Sequence, residues 1–239
     1  MSWPSINFSK CILEESFDYL IVLNQRIDTP FFPCLWSNAS NKICADGGYT
    51  RLIDYSQSKH PLFYLPNYIV GDMDSISPDT LNIAREKNIE IITNLDQNTN
   101  DFQKSINLIE SLQNSSTSHP LNIAVIGALG GRFDHTAASI SILHKFPHHH
   151  IWLVDNTTIV TLIPAGKHEI HINKEIEGIV CGIIPFAGPA TVTTSGLQWN
   201  LNNQILSMES LISTSNKIVD QIVTIMSNSS LIWTTHRQE

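Results

Sequence analysis

Five aspartates carry the clearest chemical signal in the chain: Asp46, Asp72, Asp74, Asp96 and Asp101. Asp72 and Asp74 stand one residue apart in Gly71-Asp72-Met73-Asp74-Ser75, so an extended backbone points both carboxylates the same way. Two hard oxygen donors, joined by a third from another loop, suit Mg²⁺, which takes few protein ligands and fills its octahedron with water and phosphate oxygens. An isolated D-x-D is equally at home in a turn or a cap; Asp101, arriving at a neighbouring strand end, favours the cation. Two glycine pairs add an anion-binding element. Asp46-Gly47-Gly48 and Gly130-Gly131-Arg132-Phe133-Asp134 each precede an expected helix, where bare N–H groups and the positive helix end face a phosphate. Neither matches a P-loop or a dinucleotide fingerprint, and a Gly-Gly pair alone is only a tight turn. Arg132 strengthens the second pair, because a guanidinium clamps phosphoryl oxygens in a fork. No G-x-S-x-G elbow occurs, and no cysteine sits in an electropositive turn. The expected chemistry is direct transfer on a metal-bound phosphate.

Such side chains need a scaffold that delivers several loops to one edge. In the first 155 residues, short apolar runs at 19–23, 42–45, 68–70, 90–92, 121–126 and 151–154 read as strands. Between them, Ser77-Pro78-Asp79 starts a helix with a cap and a first-turn proline. Phe102, Ile106, Ile109 and Leu112 mark one face of a helix over 101–112, and 133–143 reads as another. Strands alternating with helices imply a mainly parallel sheet, whose ligand crevice lies at the carboxyl ends of the strands. The five aspartates fall at those ends or at the next helix start. After Asn156 the texture becomes β-branched runs at 159–163, 167–172, 178–185, 191–194, 205–213 and 222–226, separated by turns and without a helical pattern. That is the signature of a small antiparallel sandwich or barrel. The expected division is therefore 1–155 and 156–239, with no flexible linker.

The chain has 239 residues, 42% hydrophobic and 15% charged, which excludes disorder as its main theme. A balance of 22 acidic against 14 basic residues, net −8, excludes a protein that coats nucleic acid or an acidic membrane. The cysteines Cys11, Cys34, Cys44 and Cys181 form no C-x-x-C pair, which argues against a zinc knuckle or a disulfide scaffold. With neither a signal-peptide pattern nor a long apolar span, the expected location is cytoplasmic. Asn-x-Ser/Thr triplets at Asn114 and Asn228 read as chance, and His148-His149-His150 reads as a solvated loop in preference to a metal tract.

Taken in order, Cys44-Ala-Asp-Gly-Gly48 with Arg51-Leu52, Gly71-Asp-Met-Asp-Ser75, Asp96-Gln97 with Asp101-Phe102-x-Lys104, and Gly131-Arg-Phe-Asp134 resemble the motif set of the thiamine pyrophosphokinase family. The second half agrees: Pro164-Ala-Gly-Lys-His168, Cys181-Gly-Ile-Ile-Pro185, Thr193 to Leu201 and Ser213-Thr-Ser-Asn216 resemble the eukaryotic form. The resemblance implies an α/β domain with a mainly parallel, Rossmann-like sheet and flanking helices, followed by an antiparallel β-sandwich. It also implies a homodimer with sites shared between subunits, ATP and thiamine as substrates, and Mg²⁺. Carried over by position, Asp72, Asp74 and Asp101 are the metal-holding and catalytic carboxylates, with Arg132 as a further catalytic group. Asp46, Gly47, Gly48, Gln97, Lys104, Arg132 and Asp134 line the nucleotide region; Trp199, Ser213 and Asn216 receive thiamine. A tryptophan in a sandwich strand is otherwise most simply core. Thr50, Asn100 and His135 stand where the family usually has Asn, Thr and Gln. From the bare motifs, a D-x-D nucleotide-sugar transferase and a non-catalytic binding module remain alternatives.

Overall fold

The branched apolar runs pair side by side in the computed structural model, which describes residues 5–14, 16–59, 64–113 and 119–237; Asn114 lies outside them. In chain order the first half comprises α1 (Phe8–Leu13), β1 (Phe17–Val22), α2 (Phe32–Asn38), β2 (Ala39–Ala45), α3 (Gly48–Lys59), β3 (Tyr68–Gly71) and α4 (Pro78–Glu86). It continues with β4 (Glu90–Thr93), α5 (Asp101–Leu112), β5 (Asn122–Ile126), α6 (Phe133–Lys145) and β6 (His150–Val154). The second half runs β7 (Thr158–Ile163), β8 (Gly166–His171), α7 (Lys174–Glu177), β9 (Val180–Ile184), β10 (Ala190–Ser195), β11 (Gln204–Leu206), β12 (Ser213–Lys217), β13 (Ile222–Ser227) and β14 (Leu231–His236).

Strands β6-β5-β1-β2-β3-β4 are parallel neighbours, so the strand order reverses between β1 and β5. That reversal opens a crevice at the carboxyl edge. Leu20, Ile21, Val22, Ile43, Cys44, Ile69, Ile123 and Val125 are almost wholly buried, as expected of strands covered on both faces. Ser77 caps α4, its side chain accepting from the Thr80 N–H, and Asn100 caps α5 in the same way toward Gln103.

The second half forms two layers. Strand β7 pairs antiparallel with β6, and β14, β9 and β12 follow, extending the large sheet to ten strands. A separate antiparallel sheet, β11-β10-β13-β8, faces it. Ile163, Ile183 and Trp233 from one layer and Ile170, Val192, Val223 and Ile225 from the other belong to one buried cluster. One leaf of the sandwich is thus continuous with the α/β sheet.

Several expectations need correction. The run 205–213 is not one strand: β11 ends at Leu206, Ser207 to Ser210 close a turn (Ser210 N–H to Ser207 O, 3.1 Å), and β12 begins at Ser213. A four-residue helix, α7, occurs where none is expected, capped by Asn173. The histidine run is not a solvated loop, because His149 is buried and His150 opens β6. Among the described residues no helix is long and apolar enough to cross a membrane.

Candidate active site

The aspartates gather through two left-handed residues. Asp46 follows β2 with φ of 44°, and Met73 follows β3 with φ of 68°. Such conformations cost energy for a side chain as large as methionine and persist where the surroundings enforce them. An extended D-x-D is therefore not what aligns Asp72 with Asp74. The chain turns at Met73, and the Asp74 N–H points back to Asp72 Oδ1 at 3.4 Å. As a result, carboxylate oxygens of Asp46, Asp72 and Asp74 lie within 4.8 Å of one another. Asp46 Oδ2 accepts from the Ser75 N–H at 3.2 Å, while its Oδ1 is buried with no hydrogen-bond partner.

Asp101 joins this group differently. As the first residue of α5 it stands one turn before Lys104, whose ammonium lies 3.2 Å from Asp101 Oδ1 and 3.4 Å from Asp72 Oδ2. Lys104 is only 3% exposed, so this is an internal counter-ion. Gln97 Nε2 donates to the same Asp72 oxygen at 3.4 Å. Burial pushes the Asp101 carboxyl up, only partly offset by Lys104, and burial with the Asp101 and Asp74 charges does the same to Asp46. For Asp72 burial is outweighed by the Asp74 N–H, Lys104 and Gln97, which hold it below the usual carboxylate range. Asp96 belongs elsewhere: it accepts from the Asn98 N–H and the Thr99 hydroxyl and closes the turn before α5.

On the other side of the switch point, Arg132 precedes α6 and grips Asp134 through two nitrogens, Nε to Oδ1 at 3.1 Å and Nη2 to Oδ2 at 2.5 Å. Both side chains are largely exposed. A cavity of about 320 Å³ spans the gap, lined by Leu23, Asp101, Phe102, Gly127, Arg132 and His135. Gly48 serves packing more than anion binding, because a Cβ there would stand 2.1 Å from the Val22 carbonyl oxygen. Gly131, with φ of 62°, leaves room for the Gln25 amide, which a Cβ would meet at 2.4 Å.

Sequence reasoning missed Asn24 and Gln25. Asn24 Oδ1 accepts from Arg51 Nε at 2.9 Å, and the two residues pack under the two glycine turns. They follow the central strand at the point where strand order reverses, and that position was the available signal.

The thiamine residues expected in the sandwich form a separate group. Asn216 is buried on β12 and Ser213 Oγ accepts from its Nδ2 at 3.4 Å. Trp199, in the loop after β10, is 54% exposed and so is not core.

An open parallel sheet whose crevice gathers carboxylates, a buried ammonium and a guanidinium has the make-up of a nucleotide-phosphate transferase. Comparison with known proteins makes this specific. Residues 32–154 match the family model for the thiamin pyrophosphokinase catalytic domain, and residues 167–232 match that for the thiamin pyrophosphokinase vitamin B1 binding domain. The chain is 41% identical over 226 residues to thiamine pyrophosphokinase 1 of Oryza sativa subsp. japonica, covering 90% of this chain and 85% of that protein. It is 40% identical to thiamine pyrophosphokinase 2 of Arabidopsis thaliana, covering 90% and 84%. The crystal structure of yeast thiamin pyrophosphokinase superposes with a TM-score of 0.89 at 26% identity, over 99% of this chain and 92% of that one. The chain belongs to the thiamine pyrophosphokinase family.

Proposed function

We propose that this protein transfers the pyrophosphoryl group of ATP to the hydroxyl of thiamine, giving thiamine diphosphate and AMP. The observation that carries the reading is that both halves match their family models while the crevice keeps its aspartates, Lys104 and Arg132. The thiamine oxygen attacks the β-phosphorus, the bond from that phosphorus to the α-phosphate oxygen breaks, and the hydroxyl proton leaves. Positioning and charge neutralisation supply most of the catalysis.

Mg²⁺ fits the carboxylate group. The donors are hard oxygens, and the buried, unpartnered Asp46 Oδ1 is an atom that a cation would satisfy. In place of the expected Asp101, Asp46 would hold the ion together with Asp72 and Asp74, and Asp101 would face them across Lys104. When bound, it neutralises charge on the transferring phosphates. Arg132 would clamp phosphoryl oxygens once it exchanges Asp134 for substrate. Asp101, whose carboxyl is raised by burial, is the candidate to orient the thiamine hydroxyl and receive its proton.

Thiamine would be received by Trp199, Ser213 and Asn216. Strands β9, β14, β7, β6, β5, β1 and β2 separate β12 from β3. At roughly 4.8 Å per strand that is about 35–40 Å, less what the twist takes back. This separation supports a two-fold homodimer in which one subunit's sandwich faces the other's crevice.

The test is product analysis with ATP, thiamine and Mg²⁺. AMP and thiamine diphosphate in equal amounts are expected. ADP with thiamine monophosphate, or no turnover, contradicts the reading.

A further inference from the structure

The histidine run that the catalytic edge leaves unused meets a carboxylate at the opposite end of the sheet. Glu110 lies in the last turn of α5, about 13 Å along the helix axis from Asp101. His148 and His149 form the turn that enters β6. His148 Nε2 is 3.0 Å from Glu110 Oε1 and His149 Nε2 is 3.9 Å from the same oxygen. One ligand atom from each of the three residues falls within 4.8 Å of the others.

His149 supplies the second, independent observation. Its side chain is 1% exposed, yet its Nε2 has no hydrogen-bond partner. A buried polar atom without a partner needs an explanation, and an unplaced ion is one of the standard ones.

We propose that Glu110, His148 and His149 form a binding site for one transition-metal ion of the Zn²⁺ type, with water in the remaining position. Two imidazoles and one carboxylate are donors that favour zinc over magnesium. Donor atoms about 2.1 Å from a tetrahedral ion stand roughly 3.4 Å apart, between the 3.0 and 3.9 Å that separate the two histidines from Glu110. The site has a built-in cost. The Leu121 N–H donates to His149 Nδ1 at 3.3 Å, which leaves the ring proton on Nε2 in the metal-free chain. Coordination moves that proton to Nδ1, where it would face the Leu121 N–H, so the ring must also turn away from that donor. With only three protein ligands besides, the site is weaker than a closed four-ligand one. An ion there fastens the end of α5 to the start of β6.

The test uses the full chain without a histidine tag, in excess Mg²⁺ so that the aspartates are already occupied. Zn²⁺ is titrated by equilibrium dialysis, and Co²⁺ by its visible absorption. One ion per chain is expected, with affinity falling at least tenfold in both His148→Ala and Glu110→Gln, which alter partly exposed side chains and leave the core intact. Absence of binding, or unchanged affinity in both variants, overturns the site. So does binding that is lost in Asp72→Asn but kept in His148→Ala, which would put the ion in the catalytic cluster.

Discussion

The Asn216 side chain is bonded to both main-chain groups of Trp199: Oδ1 accepts the Trp199 N–H at 3.2 Å, and Nδ2 donates to the Trp199 carbonyl at 2.8 Å. An amide that completes a pair of backbone bonds immobilises the loop it grips, here one that carries a half-exposed indole. In the proposed thiamine site Asn216 would act through Trp199, whose ring face would stack on a cationic thiazolium.

Asn216→Ala is therefore expected to raise the KM for thiamine about tenfold, at about 1–2 kcal/mol for the lost buried bonds, and to leave the KM for ATP nearly unchanged. Trp199→Ala should show the same selectivity with little loss of thermal stability, because the ring is not core. Steady-state kinetics with each substrate varied in turn checks both, and equal effects on the two KM values would remove Trp199 from the thiamine site.

Lys104 pairs with Asp72 and Asp101 at once, from a position that is itself buried. Lys104→Met is expected to lower kcat/KM by about two orders of magnitude and to cost up to about 3 kcal/mol of stability, less than a fully buried pair because water reaches Asp101. Lys104→Arg should fail to restore activity, since the bulkier fork does not fit the ammonium's pocket. Kinetics paired with urea titration of both variants measures this.

Glu177 gives the fold a pH dependence unrelated to the crevice. It is 2% exposed, accepts from Ser9 Oγ at 2.5 Å and from the Asn173 N–H at 3.1 Å, and burial raises its carboxyl to about 7. The folded chain then holds this proton more tightly than the unfolded chain. Stability from this group is present below the unfolded value of 4.5 and is lost as pH rises toward 7, by about 3 kcal/mol in all. Glu177→Gln should remove that slope, so the variant gains on the native chain at pH 8 relative to pH 5. Urea midpoints at the two pH values decide it, and parallel slopes would rule the assignment out.

Inactive Asp101→Asn subunits and Trp199→Ala subunits, assayed at thiamine well below the raised KM of the latter, are expected to complement when mixed under conditions that allow exchange. Random reassortment makes half the dimers mixed, each with one intact and one doubly damaged site, so roughly a quarter of native activity returns. Sites built within one subunit give only the mean of the two separate variants, and a mixture that stays at that mean after exchange is demonstrated refutes sharing.

The legible parts were those set by local chemistry. Helix α5 begins and ends where the sequence places it, because Asn100-Asp101 is a strong cap and the apolar spacing is unbroken. The carboxylates were found because several arrive together at strand ends, whereas a single one there, like Asp96, can simply close a turn. Helix α2 and strand β14 gave weaker signals. The first is seven residues whose Phe32 and Trp36 are held by packing with Tyr55 and Tyr64, a reason that exists only after folding. The grouping of Asp46 with Asp72 and Asp74 depends on left-handed backbone at Asp46 and Met73, residue types that do not announce it. Trp199 looked like core by type alone; its exposure follows from its place in the loop between the expected runs at 191–194 and 205–213.

The β6–β7 ladder makes the large sheet a single rigid girder, so the two halves of one subunit cannot swing on a hinge without tearing Trp152, Leu153 and Val154 from Thr161, Val160 and Ile159. Closure over a substrate therefore has to be a matter of loops, such as the turn from Asn94 to Asn100, or, in the proposed dimer, of one whole subunit shifting against the other. A break engineered at residue 155 would not free a working half. It would strip an apolar strand of its neighbour and leave a raw edge that recruits other chains.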